Sequence, residues 1–99
     1  MPDLPFDDVD APLFGVGQVA GMLGVQPAFL RRLDAEQVVQ PARTEGGQRR
    51  YSRNEVNCVQ RVTAMADEGM TLVGIRRILA LEAEVAELKR QLEAAKRKS

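Results

Sequence analysis

The sequence predicts a mainly α fold: a winged helix-turn-helix domain with a small β-hairpin wing, followed by a C-terminal dimerisation helix. Three observations predict it. Two short helical segments are separated by a glycine at Gly24. A basic ribbon with a glycine tip follows at Gly46–Tyr51. The last part of the chain repeats apolar residues at alternating spacings of three and four.

Composition bounds the possibilities. The chain has 99 residues, with 44% hydrophobic and only 4% aromatic residues, so aliphatic side chains must build the core of one small domain. Such a domain buries modest area, which favours association. Cys58 is the single cysteine and histidine is absent, which rules out an intrachain disulfide and a Cys/His metal site. No apolar run has the length of a membrane span, and the N-terminus is acidic, unlike a signal peptide. A cytoplasmic, nucleoid-associated protein with no metal, cofactor or membrane partner is expected.

The formal net charge of zero conceals a segregation. Residues 1–12 hold Asp3, Asp7, Asp8 and Asp10, three prolines and no basic residue, and read as a disordered acidic tail. The remainder carries 14 basic and 10 acidic residues. Seven arginines and no lysine lie between Arg31 and Arg61. Arginine forks suit phosphates and guanine edges, so a nucleic acid is the expected partner. An ordinary solvated surface is the plainer alternative.

The domain is expected over residues 13–79. Leu13–Val16 is a short apolar lead-in. A first helix spans Gln18–Leu23, with Gly17 as N-cap and Gly24 as a left-handed stop. Pro27 starts a second helix that runs to about Glu36. Phe29, Leu30 and Leu33 share its core face; Ala28, Arg31, Arg32 and Ala35 share an outer, basic face. Ala20, Gly24 and Leu30 have the spacing that two crossing helices require: a small residue, a tight turn and an anchor. Alone this pattern is weak, because many helical hairpins produce it.

Ala42–Thr44 and Gln48–Tyr51 flank Glu45-Gly46-Gly47 and read as a hairpin. Strand alternation places Gln48 and Arg50 on one face, Arg49 and Tyr51 on the other. One arginine is then expected to meet phosphate while the other braces the wing, and alternation alone does not say which. Ser52 and Glu55 have the capping-box spacing. They open a helix to about Glu68, with Val56, Val59, Val62, Met65 and Ala66 on its apolar face. Cys58 reads as a small core residue of that helix. Gly69 ends it, and Thr71 caps a short helix through Ile78 and Leu79.

Residues 80–99 form a separate expected element, a short coiled-coil helix. Ile78, Leu81, Val85, Leu88, Leu92 and Ala95 make a heptad seam. Leu81, Val85, Leu88 and Leu92 are the candidate dimerisation residues; folding of Leu81 and Val85 back onto the domain is the alternative. The flanking charges fit parallel pairing, Arg77 with Glu82 and Glu84 with Lys89 of a second copy. Such exposed pairs contribute only about 0.3–0.5 kcal/mol each.

Residues 15–34 (GVGQVAGMLGVQPAFLRRLD), 46–52 (GGQRRYS) and 67–79 (DEGMTLVGIRRIL) resemble the DNA-binding domain of the MerR family of bacterial transcription regulators. The heat-shock repressor (HspR-like) branch is the most similar, with a glycine-rich wing and a tail like LALEAEVAEL. The resemblance implies a homodimer on a palindromic operator, with the second helix in the major groove, wings flanking it and an antiparallel dimer helix. It places Arg31 among the DNA contacts of that helix and Arg49, Arg50 and Tyr51 in the wing. Two departures stand out. Ala28-Phe29 replaces a common polar pair after the helix proline, and Arg32-Leu33 replaces an aromatic pair, which suggests a different operator.

The expected double-stranded DNA contacts are therefore Gln18, Gln26, Ala28, Arg31, Arg32, Arg43, Gly47, Arg49, Arg50, Tyr51 and Arg53. No effector domain or small-molecule inducer is expected, because the chain ends within the dimer helix; the resemblance implies a chaperone as a regulatory protein partner. The leading function is a sequence-specific transcription regulator that represses by occupying a promoter. An excisionase-like or packaging-type architectural DNA-binding protein is one alternative, and a coiled-coil interaction adaptor is another. No nucleophile–base pair, phosphate-cradling loop or acidic cluster supports an enzyme.

Overall fold

A computed structural model describes residues 8–98. The elements run β1 (Phe14–Gly15), α1 (Val16–Leu23), α2 (Pro27–Ala35), β2 (Ala42–Arg43), β3 (Arg49–Tyr51), α3 (Arg53–Asp67) and α4 (Leu72–Lys98). The architecture is mainly helical, with one three-stranded antiparallel sheet in the order β1-β3-β2. Among the described residues no helix is long and apolar enough to cross a membrane.

The first helix begins earlier than its sequence suggests. Gly15, not Gly17, is the N-cap, and α1 starts at Val16. The side chain of Gln18 turns back and accepts the Gly15 N–H at 2.9 Å. A glutamine at the third helical position satisfies an otherwise orphaned donor and so moves the start upstream. Gly24 ends α1 with φ of 66°, and Pro27 opens α2 after an extended Gln26, as expected. Gln37 follows α2 with φ of 60°, the one non-glycine residue in the left-handed region among those described.

The lead-in segment is a strand. Phe14 pairs with Tyr51 and Gly15 with Arg50, while Ala42 and Arg43 pair with Arg50 and Arg49. Two residues are too few for alternation to be legible, so β1 escaped the sequence reading. The expected free tail also needs correction for residues 8–12; residues 1–7 lie outside the described part. The Val9 carbonyl accepts the Asn54 N–H at 3.0 Å, and Asp10 Oδ1 accepts from Asn54 Nδ2 at 2.7 Å. This segment therefore lies across the start of α3, where helix N–H groups lack internal partners.

Ser52 and Glu55 form the full capping box. The Ser52 hydroxyl accepts the Glu55 N–H at 3.1 Å, and the Glu55 carboxylate accepts the Ser52 N–H at 2.9 Å. The core collects Val19 and Ala20 of α1, Leu30 and Leu33 of α2, Tyr51 of β3, Val56, Val59 and Val62 of α3, and Leu72 and Ile75 of α4. Burial of each large aliphatic contributes about 1.5–3 kcal/mol, so this cluster sets how α2 and the sheet face one another. Cys58 packs half-buried against it, and burial raises its thiol pKa, which disfavours the reactive thiolate.

The short helix and the tail helix expected after Thr71 are one element. Helix α4 continues for 27 residues, about 40 Å at the usual rise. After Gly74 it contains neither glycine nor proline, and it is rich in Ala, Leu, Glu, Lys and Arg. Nothing local stops it, so the boundary drawn at residue 79 has no structural counterpart.

Candidate nucleic-acid interface

The outer face of α2 forms as its periodicity requires. Leu30 and Leu33 are fully buried, whereas Ala28, Arg31, Arg32 and Ala35 are exposed. Small residues at 28 and 35 leave the two arginines projecting from a low surface. Their surroundings differ. Arg32 Nε donates to Glu36 Oε2 at 2.6 Å, one helical turn on. Arg31 has no hydrogen bond or ion pair among the described residues.

The wing divides its arginines more sharply. Arg49 Nε donates to Asp34 Oδ2 of α2 at 2.6 Å. Arg43 Nη2 reaches the same oxygen at 2.9 Å, and its Nη1 donates to the Gly47 carbonyl at 3.0 Å. Gly47 turns the hairpin with φ of 84°, a conformation that favours glycine. Arg49 is thus the brace that alternation required. Arg50 points to the opposite face, across Gly15, and its one side-chain hydrogen bond among the described residues is a long 3.4 Å contact to Gln48.

Tyr51 corrects the expectation of a wing contact. It has no exposed surface and belongs to the core. Its hydroxyl has no hydrogen-bond partner among the described residues. Burial raises its pKa against the lowering effect of the Arg49 charge, with Asp34 adding to the rise. A residue so placed supports the wing from beneath and has no surface to offer a ligand.

The other candidates sort by what already holds them. Gln18 and Gln26 are exposed, but the Gln18 side chain is engaged as the cap of α1, and Gln26 is the N-cap of α2. Arg53 is exposed at the first position of α3 and makes no ion pair among the described residues. Of the seven clustered arginines, Arg32, Arg43, Arg49 and Arg61 face carboxylates. Arg31, Arg50 and Arg53 face none among the described residues, which leaves them open to an anionic ligand there. Sequence reasoning missed Asp34, because an acid in a basic segment carries no motif. Its one legible signal was the excess of arginine around it.

No group of three or more potential metal ligands occurs among the described residues. A helical pair with an exposed basic second helix, beside a braced basic hairpin, is suited to holding a polyanion.

The family of MerR HTH regulatory proteins matches residues 14–82, the whole of the sheet, α1 to α3 and the start of α4. The chain belongs to the MerR family. Its described residues thus carry the helix-turn-helix domain of a MerR-family regulatory protein. The chain is 40% identical over 80 residues to a Streptomyces coelicolor protein named as a heat shock protein, HspR, covering 80% of this chain and 53% of that one. It is 29% identical over 76 residues to the HTH-type transcriptional regulator GlnR of Bacillus anthracis, covering 77% and 59%. The chain spans a little over half the length of these curated relatives. Among solved structures, the N-terminal part of MtaN, the Bacillus subtilis multidrug transporter activator, is similar with a TM-score of 0.63 and 25% identity, over 83% of this chain and 87% of that one. HiNmlR, a MerR-family regulator lacking the sensor domain and crystallised on promoter DNA, has a TM-score of 0.61 at 23% identity, over 86% of each chain. The latter likeness concerns the fold. Within the MerR frame, α2 is the second helix of the helix-turn-helix and β2–β3 the wing.

The MerR-family tail helix presents its seam to solvent. Leu81, Val85, Leu88 and Leu92 are all exposed, by 48% to 56%, so they do not fold back on their own domain. Arg61 of α3 donates to Glu82 at 2.7 Å, tying the helix to the head. Glu82 is therefore engaged within its own chain, and one of the two charge pairs that favoured a parallel dimer loses its acid.

Proposed function

We propose that this chain binds an inverted-repeat operator as a homodimer and represses by occupying a promoter. The observation that carries the reading is Arg31: an exposed arginine without a partner among the described residues, on the outer face of the second helix, between two alanines that let DNA approach. Arg31 and Arg32 read base edges, with Ala28 and Ala35 in apolar contact. Arg50 and Arg53 meet phosphates, with Gln18, Gln26 and the half-exposed Arg43 at the margin of the footprint. Arg49 and Tyr51 hold the wing rather than touch DNA.

The dimer reading rests on the seam. Four large aliphatics in line on a projecting helix are a surface that water solvates poorly. Pairing with a second copy buries them at heptad spacing. An antiparallel arrangement leaves the Arg61–Glu82 tie intact in each protomer.

Selection of bound duplexes from a random pool, followed by sequencing, tests both parts. An inverted repeat is the expected product, and its centre-to-centre spacing reports the dimer. A lone half-site or tandem direct repeats would refute the symmetric dimer. On the selected duplex, Arg31→Ala is expected to weaken binding by about 1–3 kcal/mol, the scale of a good base contact, and random duplex far less. Equal losses on both would remove Arg31 from base reading.

A further inference from the structure

The geometry points to Asp34 as the residue that sets the position of the wing relative to the second helix, so that one carboxylate oxygen controls whether the wing and α2 engage DNA together. This rests on the DNA-binding reading above and adds a positioning residue to it.

Asp34 sits in the last turn of α2, one residue beyond the buried Leu33, and only 11% of its side chain is exposed. Its Oδ2 receives Arg49 Nε from β3 and Arg43 Nη2 from β2. Both strands of the hairpin are therefore fastened to the same atom of the same helix. Arg43 extends the connection to the tip through the Gly47 carbonyl. Arg49 is largely covered, with 21% of its side chain exposed, whereas Arg43 keeps 48%. The two guanidinium groups carry like charge, and only the carboxylate between them makes their approach favourable. With Asp34 and Arg49 largely covered, loss of the carboxylate leaves the Arg49 charge partly buried and unpaired.

The consequence reaches Arg50 through the strand. Arg49 and Arg50 are adjacent and alternate in direction, so the orientation that pins Arg49 on Asp34 turns Arg50 outward over Gly15. Asp34 is thus a positioning residue for Arg50, and it lies only three residues from Arg31 on the helix that reads bases. Removing the Asp34 charge frees the hairpin to move, and Arg50 then loses its fixed relation to Arg31. Hairpin backbone and helix each remain formed by their own hydrogen bonds.

A double-mutant cycle on the full chain tests this, using the duplex selected by the wild-type protein and a mixed-sequence duplex for comparison. Asp34→Asn is expected to weaken binding by about tenfold, the scale of coupling within one network. Arg50→Ala should weaken wild type but have little further effect in the Asp34→Asn background. The slope of log affinity against log salt should fall in magnitude by about one per half-site in Asp34→Asn, as one phosphate contact is lost. Asp34→Glu, which keeps the charge, should preserve most of the coupling to Arg50. A merely structural role would lower thermal stability and leave the Arg50 effect unchanged. Equal Arg50→Ala losses in the two backgrounds would overturn the inference. If Asp34→Asn does not fold, Arg49→Gln removes the strut next to Arg50 while Arg43 stays paired with Asp34. It should lower the Arg50 effect in the same cycle, and additivity there would overturn the inference equally. Should wild type bind neither duplex at low salt, the DNA-binding reading itself fails; binding by wild type with an additive cycle refutes only the role of Asp34.

Discussion

Gly15 and Arg50 stand opposite one another in the β1–β3 pair, and the Arg50 guanidinium lies in the space that a side chain at residue 15 would fill. A Cβ at that position would come within 2.7 Å of Arg50 Nη1. Gly15 has φ of −77°, so alanine is no strain on the backbone. The contact is with the far end of a flexible side chain, which moves at little cost. Gly15→Ala is therefore expected to leave the thermal midpoint nearly unchanged and to displace Arg50. Duplex affinity should fall by up to about tenfold, with a shallower salt dependence. An unaltered salt slope would show that Arg50 makes no phosphate contact.

Tyr51 offers a separate test, of the wing's foundation. Its ring fills the core while its hydroxyl is buried without a partner among the described residues. Unsatisfied buried hydroxyls cost free energy, so Tyr51→Phe should be neutral or stabilising by about 1 kcal/mol in a urea melt. Tyr51→Ala should lose about 3–5 kcal/mol, because it leaves a cavity. DNA affinity of the phenylalanine variant should match wild type. A selective loss of affinity in that variant would return the hydroxyl to the DNA interface.

Gln37 tests the link that follows α2. Its φ of 60° places a side chain in the left-handed region, which is costly for any residue but glycine and, to a lesser degree, asparagine. Gln37→Gly should therefore stabilise the fold by about 1 kcal/mol in a denaturant titration, the relief of strain exceeding the added freedom of the unfolded chain. Destabilisation would mean that the glutamine side chain makes a contact worth more than the strain.

Glu82 makes the tail helix sensitive to acid. The hydrogen bond from Arg61, reinforced by its charge, lowers the Glu82 pKa below the ordinary 4.5. A carboxylate whose pKa is depressed on folding contributes its stabilisation above the unfolded value. That contribution fades as pH falls through the folded value. The tie between α3 and α4 should accordingly be intact at pH 7 and be lost only as the pH falls below the ordinary carboxylate range. A carboxyl titration followed by NMR should find Glu82 below the ordinary value, and Arg61→Ala should return it there. Both groups lie in solvent, so the effect on global stability should be small and weaken with salt. An unshifted Glu82 would show that the pair does not persist in solution.

The sequence by itself determined what depends on neighbours along the chain. Gly24, Pro27, Gly69 and the Ser52–Glu55 box mark helix ends through backbone preferences and local hydrogen bonds, and they act wherever such residues fall. The face of α2 that carries Arg31 followed from helical period, and the seam of α4 from its heptad spacing. Even the division of Arg49 from Arg50 was legible, because strand alternation is local. Which of the two would face inward was not. That choice belongs to Asp34, 15 residues away from Arg49, and to the core that seats α2 against β3. The same distance hid Tyr51, whose burial depends on α1 and α3 packing against β3, and the strand at Phe14–Gly15, which exists only because β3 lies beside it. Charge type and period can be read from one segment; pairing is a relation between two, and only the folded chain brings those two together.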